Sequence, residues 1–231
     1  MVSHPLNKKE IERYSRQLVL DDFGVPAQTL LKESKVLIIG CGGLGCPAAV
    51  FLAAAGVGEI GLLDNDYVEL GNLHRQIGHS EQRLGHNKAE SLSARCLEIN
   101  SNIQINIHKT RFTPANGLEL VSNYDCVLDC TDNAPSRYLI NDVCASSGPK
   151  PLVSGSALKF DGQLTVYLAA FSSKVTTTSV SRPPCYRCLY PDPPPRAAVG
   201  SCSEQGVLGV VPGVIGTMQA AEAIKVLTGS G

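Results

Sequence analysis

The feature that most constrains the fold is a glycine-rich turn between a short apolar run and a segment of small residues. Residues 35–39 (KVLII) are apolar and β-branched, which is typical of a buried parallel strand. Gly40, Gly42 and Gly45 follow directly in the pattern GxGxxG and lead into a predicted helix that reaches about Ala55. Such a turn brings backbone amides and a helix N-terminus close to phosphate groups. The sequence therefore predicts a nucleotide-binding α/β domain.

The segments after this turn alternate between strand and helix patterns. Asp64 ends the next predicted strand, where a carboxylate can accept hydrogen bonds from ribose hydroxyls. Predicted strands lie at 59–64, 103–108, 125–130, 152–156 and 163–170, and predicted helices at 7–20, 88–100 and around 137–145. This alternation predicts a Rossmann-like, mainly parallel sheet with helices on both faces.

We expect a single domain with four parts. An N-terminal helical arm covers residues 1–34, and the nucleotide-binding core covers 35–170. A long loop over 171–211 is rich in Pro and Ser and contains cysteines, and a C-terminal helix covers 212–231. A loop of that length in a compact domain is usually functional or disordered.

Composition excludes several classes of function. The formal net charge of −1 gives no general attraction to nucleic acid or to an anionic membrane. No apolar run approaches the roughly 18 residues that would cross a bilayer, and the polar N-terminus does not resemble a secretory signal. We therefore expect a cytoplasmic protein that binds neither nucleic acid nor membrane directly.

The nine cysteines fall into two groups. Six of them lie among apolar residues and are expected to be small core residues; these are Cys41, Cys46, Cys96, Cys126, Cys130 and Cys144. Cys185, Cys188 and Cys202 lie in polar, Pro-rich surroundings instead. These three therefore need a separate explanation.

The polar residues after the second predicted strand favour ATP over a dinucleotide as the bound ligand. Asn72, Arg75 and Lys88 suit a triphosphate, because Arg binds phosphate oxygens through a planar fork and Lys supplies a compact positive charge. Asp132 and Asn133 follow the next parallel strand, where a carboxylate can hold Mg²⁺ beside phosphates. Each residue alone also fits an ordinary surface position. An NAD-dependent oxidoreductase is the rival interpretation, but it leaves this cluster without a role.

The ordered set of motifs resembles the ThiF/MoeB family. The resemblance rests on GCGGLGCPAA at 40–49, D-x-D-x-V-E-x-x-N-L-x-R-Q at 64–76, Lys88, DCTDN at 129–133 and CYRC at 185–188. It covers the chain from about residue 13 to the end. LYPDPPP at 189–195 and CSEQGVLGVV at 202–211 resemble the eukaryotic branch that acts as adenylyltransferase and sulfurtransferase for molybdopterin synthase and for the ubiquitin-related modifier of tRNA thiolation.

The resemblance implies an enzyme that uses ATP and Mg²⁺. Members of the family adenylate the C-terminal glycine carboxylate of a ubiquitin-like sulfur-carrier protein that ends in Gly-Gly. The activated carboxylate is then thiocarboxylated for molybdenum cofactor biosynthesis and tRNA wobble-uridine thiolation. A cysteine desulfurase or a rhodanese supplies the sulfur indirectly.

The resemblance also implies the site residues, position by position. The nucleotide-binding set is Gly40, Gly42, Gly43, Asp64, Gly71, Asn72, Leu73, His74, Arg75, Lys88, Asp132 and Asn133. The implied catalytic set is Arg16, Arg75, Lys88, Asp132 and Cys202, with Asp132 as the Mg²⁺ ligand. Arg16 matches an arginine that reaches into the partner subunit's site, which implies a homodimer with composite active sites. From its spacing alone, Arg16 fits a solvated helix-face charge equally well.

The three remaining cysteines carry implied roles that stay open. Cys202 matches a cysteine in the crossover loop, where it forms a thioester, takes part in an acyl disulfide or is dispensable. Cys185 and Cys188 match half of a zinc site that needs four thiolates. The second Cys pair, further strands and a rhodanese domain would lie beyond residue 231, so we expect a truncated chain rather than a lost zinc site. A truncated, non-catalytic isoform or scaffold is the alternative to an active enzyme.

Overall fold

The computed structural model describes residues 5–148, 150–169, 183–194 and 206–230, and its centre is one twisted sheet. The strands are β1 (Lys35–Ile39), β2 (Glu59–Leu63), β3 (Gln104–His108), β4 (Cys126–Asp129), β5 (Leu152–Leu158) and β6 (Asp161–Tyr167). Their order in the sheet is β3-β2-β1-β4-β5-β6. Neighbours from β3 to β5 are parallel, and β6 runs antiparallel to β5. The predicted Rossmann-like, mainly parallel sheet is confirmed.

Helices cover both faces of this sheet, as predicted. They are α1 (Lys8–Arg13), α2 (Ser15–Leu18), α3 (Gly24–Glu33), α4 (Gly45–Ala55), α5 (Lys88–Ile99), α6 (Gly117–Ser122), α7 (Ala134–Ser146), α8 (Tyr186–Leu189) and α9 (Val210–Thr228). One face packs against α3, α4, α5 and α9, and the other packs against α6 and α7. Short 3-10 turns at Leu70–Asn72 and Glu81–Arg83 interrupt the connection from β2 to α5.

Alternation along β1 explains the two cores. Val36 and Ile38 are fully buried in the core that contains α4, whereas Leu37 is buried with Ile140 in the core that contains α7. Successive side chains of a strand point to opposite faces, so a strand covered on both sides must be apolar throughout. Each such side chain contributes about 1.5–3 kcal/mol through burial. Together they fix the end of β1, from which the glycine-rich turn begins.

The long apolar helix α9 lies close against α4 and the sheet. A side chain at Gly216 would come within 2.1 Å of the carbonyl oxygen of Leu44, so only glycine permits this approach. Gln219 is fully buried and donates hydrogen bonds to the carbonyl oxygens of Asp129 and Val153 at 2.8 and 3.0 Å. By length and composition alone α9 is apolar enough to cross a membrane, and in this fold it packs against α4 and β5.

Several element boundaries differ from the sequence-based expectation. The helix predicted for 7–20 is broken between α1 and α2 at Tyr14, because its buried ring packs under Gly56 and its hydroxyl accepts from Asn100 at 2.9 Å. The pattern did not predict α3, α6 or α8. Helix α9 begins at Val210, so its first two residues lie inside the predicted loop 171–211. Most of that loop lies outside the described residues.

Candidate nucleotide-binding site

The carboxyl ends of β1 and β4 form the crevice where a parallel sheet of this order binds ligands. The strand order reverses at this point, since β1 lies between β2 and β4. Gly40 follows β1 and donates to the carbonyl oxygen of Leu63 at 2.9 Å, and Cys130 follows β4 and donates to that of Ile39 at 2.9 Å. These bonds hold the two loops that leave the strands side by side.

The glycine-rich turn needs glycine for two separate reasons. Gly40 has φ +100°, and a β-carbon there would lie 2.7 Å from the carbonyl oxygen of Cys130. A β-carbon at Gly45, the first residue of α4, would lie 1.9 Å from the carbonyl oxygen of Gly40. No side chain caps the N-terminus of α4. Its first amides therefore face the crevice without a competing acceptor from a cap, which suits a phosphate.

Asp64 lies where the sequence predicts, and it anchors the turn. One carboxylate oxygen accepts from the amide of Cys41 at 2.8 Å, and the other accepts from the amide of Asp66 at 2.8 Å. A carboxylate oxygen has more than one lone-pair direction. Asp64 therefore shapes the loop and still has acceptor capacity for a ribose hydroxyl.

The segment after Leu70 brings most of the predicted phosphate-binding residues to the glycine-rich turn. Arg75 donates to Asn72 Oδ1 at 2.9 Å and lies 2.8 Å from His74 Nε2. A β-carbon at Gly43 would lie 3.6 Å from Arg75 Cγ, so the guanidinium stem borders the turn. Gly71 is exposed at the outer end of this segment, and Leu73 is half-buried within it.

Lys88 holds a positive charge at the same edge of the sheet. Its side chain is 9% exposed, and Nζ lies 3.2 Å from Oδ2 of Asp66, a side chain that is 61% exposed. Asn87 caps α5 and donates to the carbonyl oxygens of Asp64 and Asp66, both at 3.1 Å. The fold therefore fixes Lys88 next to the loop that follows β2. Within the described ranges its carboxylate partner is Asp66, which is solvated, so the ammonium can attract a phosphate.

Asp129 ends β4 and Asp132 follows it, but of these two carboxylates only Asp132 is available to a ligand. Asp129 is fully buried and accepts from Thr131, Ser154 and Arg137 at 2.6, 2.8 and 3.1 Å. Burial opposes the charge of Arg137, but Asp129 outweighs this and keeps the pKa of Arg137 above its ordinary value. Asp132 is exposed, and its carboxylate accepts a 3.4 Å hydrogen bond from Asn133. Asp132 is therefore the carboxylate that can reach a cation.

The side-chain amide of Gln76, beside the glycine-rich turn, has a buried oxygen that finds no hydrogen-bond partner among the described residues. Gln76 is 4% exposed, and its Oε1 has no hydrogen-bond partner within the described parts of the chain. Its amide nitrogen would lie 3.4 Å from a β-carbon at Gly42. Buried polar atoms without partners are uncommon and costly. The residues of this crevice therefore fit a nucleotide, which would bring polar groups to the turn.

The donor set also fits Mg²⁺ bound together with phosphates. The described residues contain no group of three or more His, Cys, Asp or Glu side chains that would hold a metal alone. Mg²⁺ in nucleotide sites commonly takes one or two carboxylates, phosphate oxygens and waters. Asp132 supplies one such carboxylate.

Sequence reasoning missed three residues of this site. Gln76 is the last residue of the motif at 64–76, and Arg137 lies in a predicted helix, but the sequence pattern assigns no role to either residue. It assigns none to His79. His79 lies 2.9 Å from the carbonyl oxygen of Cys41. The available signal for Arg137 was its position eight residues after Asp129, on the helix that follows the strand.

The structure does not bring Arg16 to this crevice within one chain. The neighbouring Gln17 donates to the carbonyl oxygen of Ala55 at 3.1 Å, at the C-terminal end of α4. Helix α4 begins at the turn and is about 16 Å long. Arg16 is exposed at the opposite edge of the sheet. Cys202 lies outside the described residues.

Cys185 and Cys188 form a separate thiol pair on the α7 side. Their sulfur atoms are 3.7 Å apart, close to the edge of about 3.8 Å that a zinc tetrahedron with Zn–S bonds of about 2.3 Å requires. Burial raises the pKa of Cys185, but hydrogen bonds from Cys188, Asn141 and Arg187 together outweigh burial and bring that pKa below its usual value. The described residues supply these two thiols and no third ligand. The pair therefore fits half of a tetrahedral zinc site.

The six cysteines predicted to be core residues are buried. Burial raises the pKa of Cys46, Cys96 and Cys126 to about 12. The thiolate is the reactive form of cysteine, so these thiols are inert at neutral pH.

Comparison with known proteins identifies relatives of this chain by sequence and by fold. The chain is 55% identical over 226 residues to the adenylyltransferase and sulfurtransferase MOCS3 of Drosophila persimilis, which covers 98% of this chain and 48% of that protein. It is 52% identical over 225 residues to MOCS3 of Dictyostelium discoideum, with coverage of 97% and 50%. The chain thus spans about half the length of these curated relatives.

Solved structures of Escherichia coli MccB share the fold. MccB in complex with MccA-N7isoASN matches 98% of this chain and 66% of its own length, with 26% identity and a TM-score of 0.75. MccB with ATP matches 99% and 66%, with 26% identity and a TM-score of 0.72. A profile described as the ThiF family matches residues 14–231. The chain therefore belongs to the ThiF family.

Proposed function

We propose that the chain uses ATP to adenylate the C-terminal glycine carboxylate of a ubiquitin-like sulfur-carrier protein that ends in Gly-Gly. The observation that supports this proposal is that an uncapped helix N-terminus, Arg75, Lys88 and the exposed carboxylate of Asp132 all lie at the same edge of the sheet. The names of the relatives, which are adenylyltransferases and sulfurtransferases, support the same activity.

The reaction is an in-line displacement at the α-phosphorus of ATP. A carboxylate oxygen of the partner protein forms a bond to phosphorus, the bond to the β-phosphate oxygen breaks, and pyrophosphate leaves. Reactions of this kind need positioning and charge neutralisation rather than a covalent enzyme intermediate. Mg²⁺, when bound, neutralises phosphate charge beside Asp132.

The residues predicted to bind the phosphates and the ribose have specific tasks in this reaction. The amides of the glycine-rich turn and of α4 bind phosphate oxygens, and Asp64 accepts from the ribose. Arg75 and Lys88 stabilise the charge that develops on the phosphates. Asn72 orients Arg75 through its 2.9 Å hydrogen bond.

The broader assignments rest on family membership. The partner serves molybdenum cofactor biosynthesis, tRNA thiolation or both, and a cysteine desulfurase or rhodanese supplies the sulfur indirectly. Arg16, exposed far from its own crevice, completes the site of a second protomer in a cytoplasmic homodimer. The thiol of Cys202 attacks the acyl-adenylate, the bond between the acyl carbon and AMP breaks, and AMP leaves a thioester. Cys202→Ala should therefore leave adenylation intact and remove that adduct.

Zinc binding to Cys185 and Cys188 is the remaining cofactor proposal. Two thiolates at 3.7 Å set two corners of the tetrahedron. The other two ligands come from outside the described residues. The site holds the crossover segment against α7, where Tyr186 donates its amide to Asn141 at 2.7 Å.

Ligand-dependent stabilisation tests nucleotide choice directly. A ligand that binds only the folded state at 100 times its Kd stabilises the fold by about 2.7 kcal/mol. ATP with Mg²⁺ should raise the Tm, and NAD⁺ should not. Lys88→Met should lose this shift, whereas Lys35→Met, which removes a half-exposed partner of Glu59 in β2, should keep it. A larger shift with NAD⁺ would favour an oxidoreductase and contradict the proposal.

A further inference from the structure

A buried histidine connects the glycine-rich turn to the helix that carries Lys88. His79 is 8% exposed. Its Nε2 lies 2.9 Å from the carbonyl oxygen of Cys41, and its Nδ1 lies 2.8 Å from Oγ of Ser91. Ser91 follows Lys88 by one turn of α5. The ring therefore spans the gap between the two elements that would hold phosphates.

The chemistry of the two partners determines the tautomer of His79. A carbonyl oxygen can only accept a hydrogen bond, so Nε2 must carry the proton and donate to Cys41. In the neutral ring Nδ1 is then an acceptor, and the hydroxyl of Ser91 donates to it. Both ring nitrogens are satisfied only in this arrangement of the neutral ring.

The surroundings of His79 favour the neutral form. Burial lowers the pKa of His79, and the positive charges of Lys88 and Arg83 lower it further, while the Cys41 carbonyl and Asp64 act in the opposite direction. The net shift is downward from the usual value of 6.5. The neighbouring Cys41 thiol is itself neutral, because burial raises its pKa well above the ordinary value.

Cys41 is held on both sides of its α-carbon, in two successive peptide units. Its amide donates to Asp64 at 2.8 Å, and its carbonyl accepts from His79 at 2.9 Å. The Cys41 carbonyl and the Gly42 amide belong to one peptide unit, so a rotation of that unit would break the bond to His79 and reorient the Gly42 amide. We propose that neutral His79 is a positioning residue for nucleotide binding, which fixes the glycine-rich turn and couples its geometry to Lys88. This inference rests on the proposed function.

Two substitutions test this role: one removes the hydrogen-bond donor at Nε2 of His79, and the other replaces the ring but keeps a donor. In ATP–pyrophosphate exchange, His79→Leu should raise the KM for ATP about tenfold. His79→Gln, whose amide can donate from the position of Nε2, should remain within about twofold of wild type. His108→Leu is the matched control, because His108 is half-buried and bonds to Tyr124 away from the turn. Equal KM values for the Leu and Gln variants would overturn the proposal.

The pH profile gives a readout that a purely structural role would not produce. As pH falls below 6.5, protonation of His79 places a charge beside Lys88 and removes the acceptor for Ser91. The kcat/KM for ATP should therefore fall on the acid side in wild type, and His79→Gln should lack that part of the decline. An identical acid limb in both proteins would contradict the inference.

A spectroscopic measurement keeps the inference separate from the proposed activity. Nitrogen-15 NMR of the histidine rings at pH 7.5 should show His79 as the neutral tautomer with the proton on Nε2. This result holds whether or not the chain catalyses exchange, so failure of the proposed function leaves it testable. A charged ring, or a proton on Nδ1, would refute the hydrogen-bond assignment on which the role depends.

Discussion

The buried ion pair between Asp129 and Arg137 predicts a large cost when the arginine alone is removed. Asp129 is fully buried at the end of β4, and Arg137 is 15% exposed in α7. Arg137 also donates to the carbonyl oxygen of Gly155 at 3.2 Å. Arg137→Met keeps most of the packing volume but leaves the carboxylate buried without its positive partner.

The magnitude follows from the cost of an unpaired buried charge. Breaking such a pair on one side costs about 3–5 kcal/mol. Unfolding entropy of about 2.1 cal/mol/K per residue gives about 0.5 kcal/mol/K for 231 residues. The Tm of Arg137→Met should therefore fall by about 6–10 °C. Thermal and urea unfolding followed by circular dichroism both measure this loss.

A matched variant shows whether burial is the reason. Arg187 makes a bidentate ion pair with Asp142 on the surface, with side chains 42% and 43% exposed. Surface pairs contribute little to stability, so Arg187→Met should leave the Tm almost unchanged. Adding Asp129→Asn to Arg137→Met should recover part of the loss, because the orphaned charge is removed. If Arg137→Met and Arg187→Met unfold at the same temperature, the reasoning is wrong.

Three further substitutions test the site. Asp132→Ala should lower ATP–pyrophosphate exchange by about 10²–10³-fold without changing the Tm, because this side chain is exposed; retained exchange would exclude it as the cation ligand. Gly40→Ala should destabilise the fold by about 1–3 kcal/mol, measured by urea unfolding, because its φ is +100° and a β-carbon would meet Cys130. Gln76→Leu should keep or raise the Tm of the free protein, since Oε1 has no partner in the described chain, and should reduce the stabilisation by ATP; unchanged stabilisation would show that Gln76 does not contact the nucleotide.

The fold was predictable because its strongest signals are local. Residues 35–39 are apolar throughout, and the structure forms β1 over the same range. The glycine pattern that follows is informative because a β-carbon at Gly45 would clash with the carbonyl oxygen of Gly40. Helices α3 and α6 escaped prediction because their apolar residues are few and the first begins without a side-chain cap.

The connections within the site could not be read from the sequence. His79 follows Cys41 by 38 positions, and Arg137 reaches Gly155 across 18 positions. Such contacts depend on how β1, β4 and β5 align in the sheet. The sequence placed Asp132 at the correct strand end, but only the structure shows that Asp129 is fully paired and buried.

ATP–pyrophosphate exchange tests the central claim most directly. The assay measures the return of labelled pyrophosphate into ATP, with and without a ubiquitin-like protein that ends in Gly-Gly. We expect exchange that depends on the partner and on its terminal carboxylate, so that a partner lacking the final glycine is inactive. ATP binding without any exchange would contradict the assignment of this chain as an adenylating enzyme and would support a scaffold role.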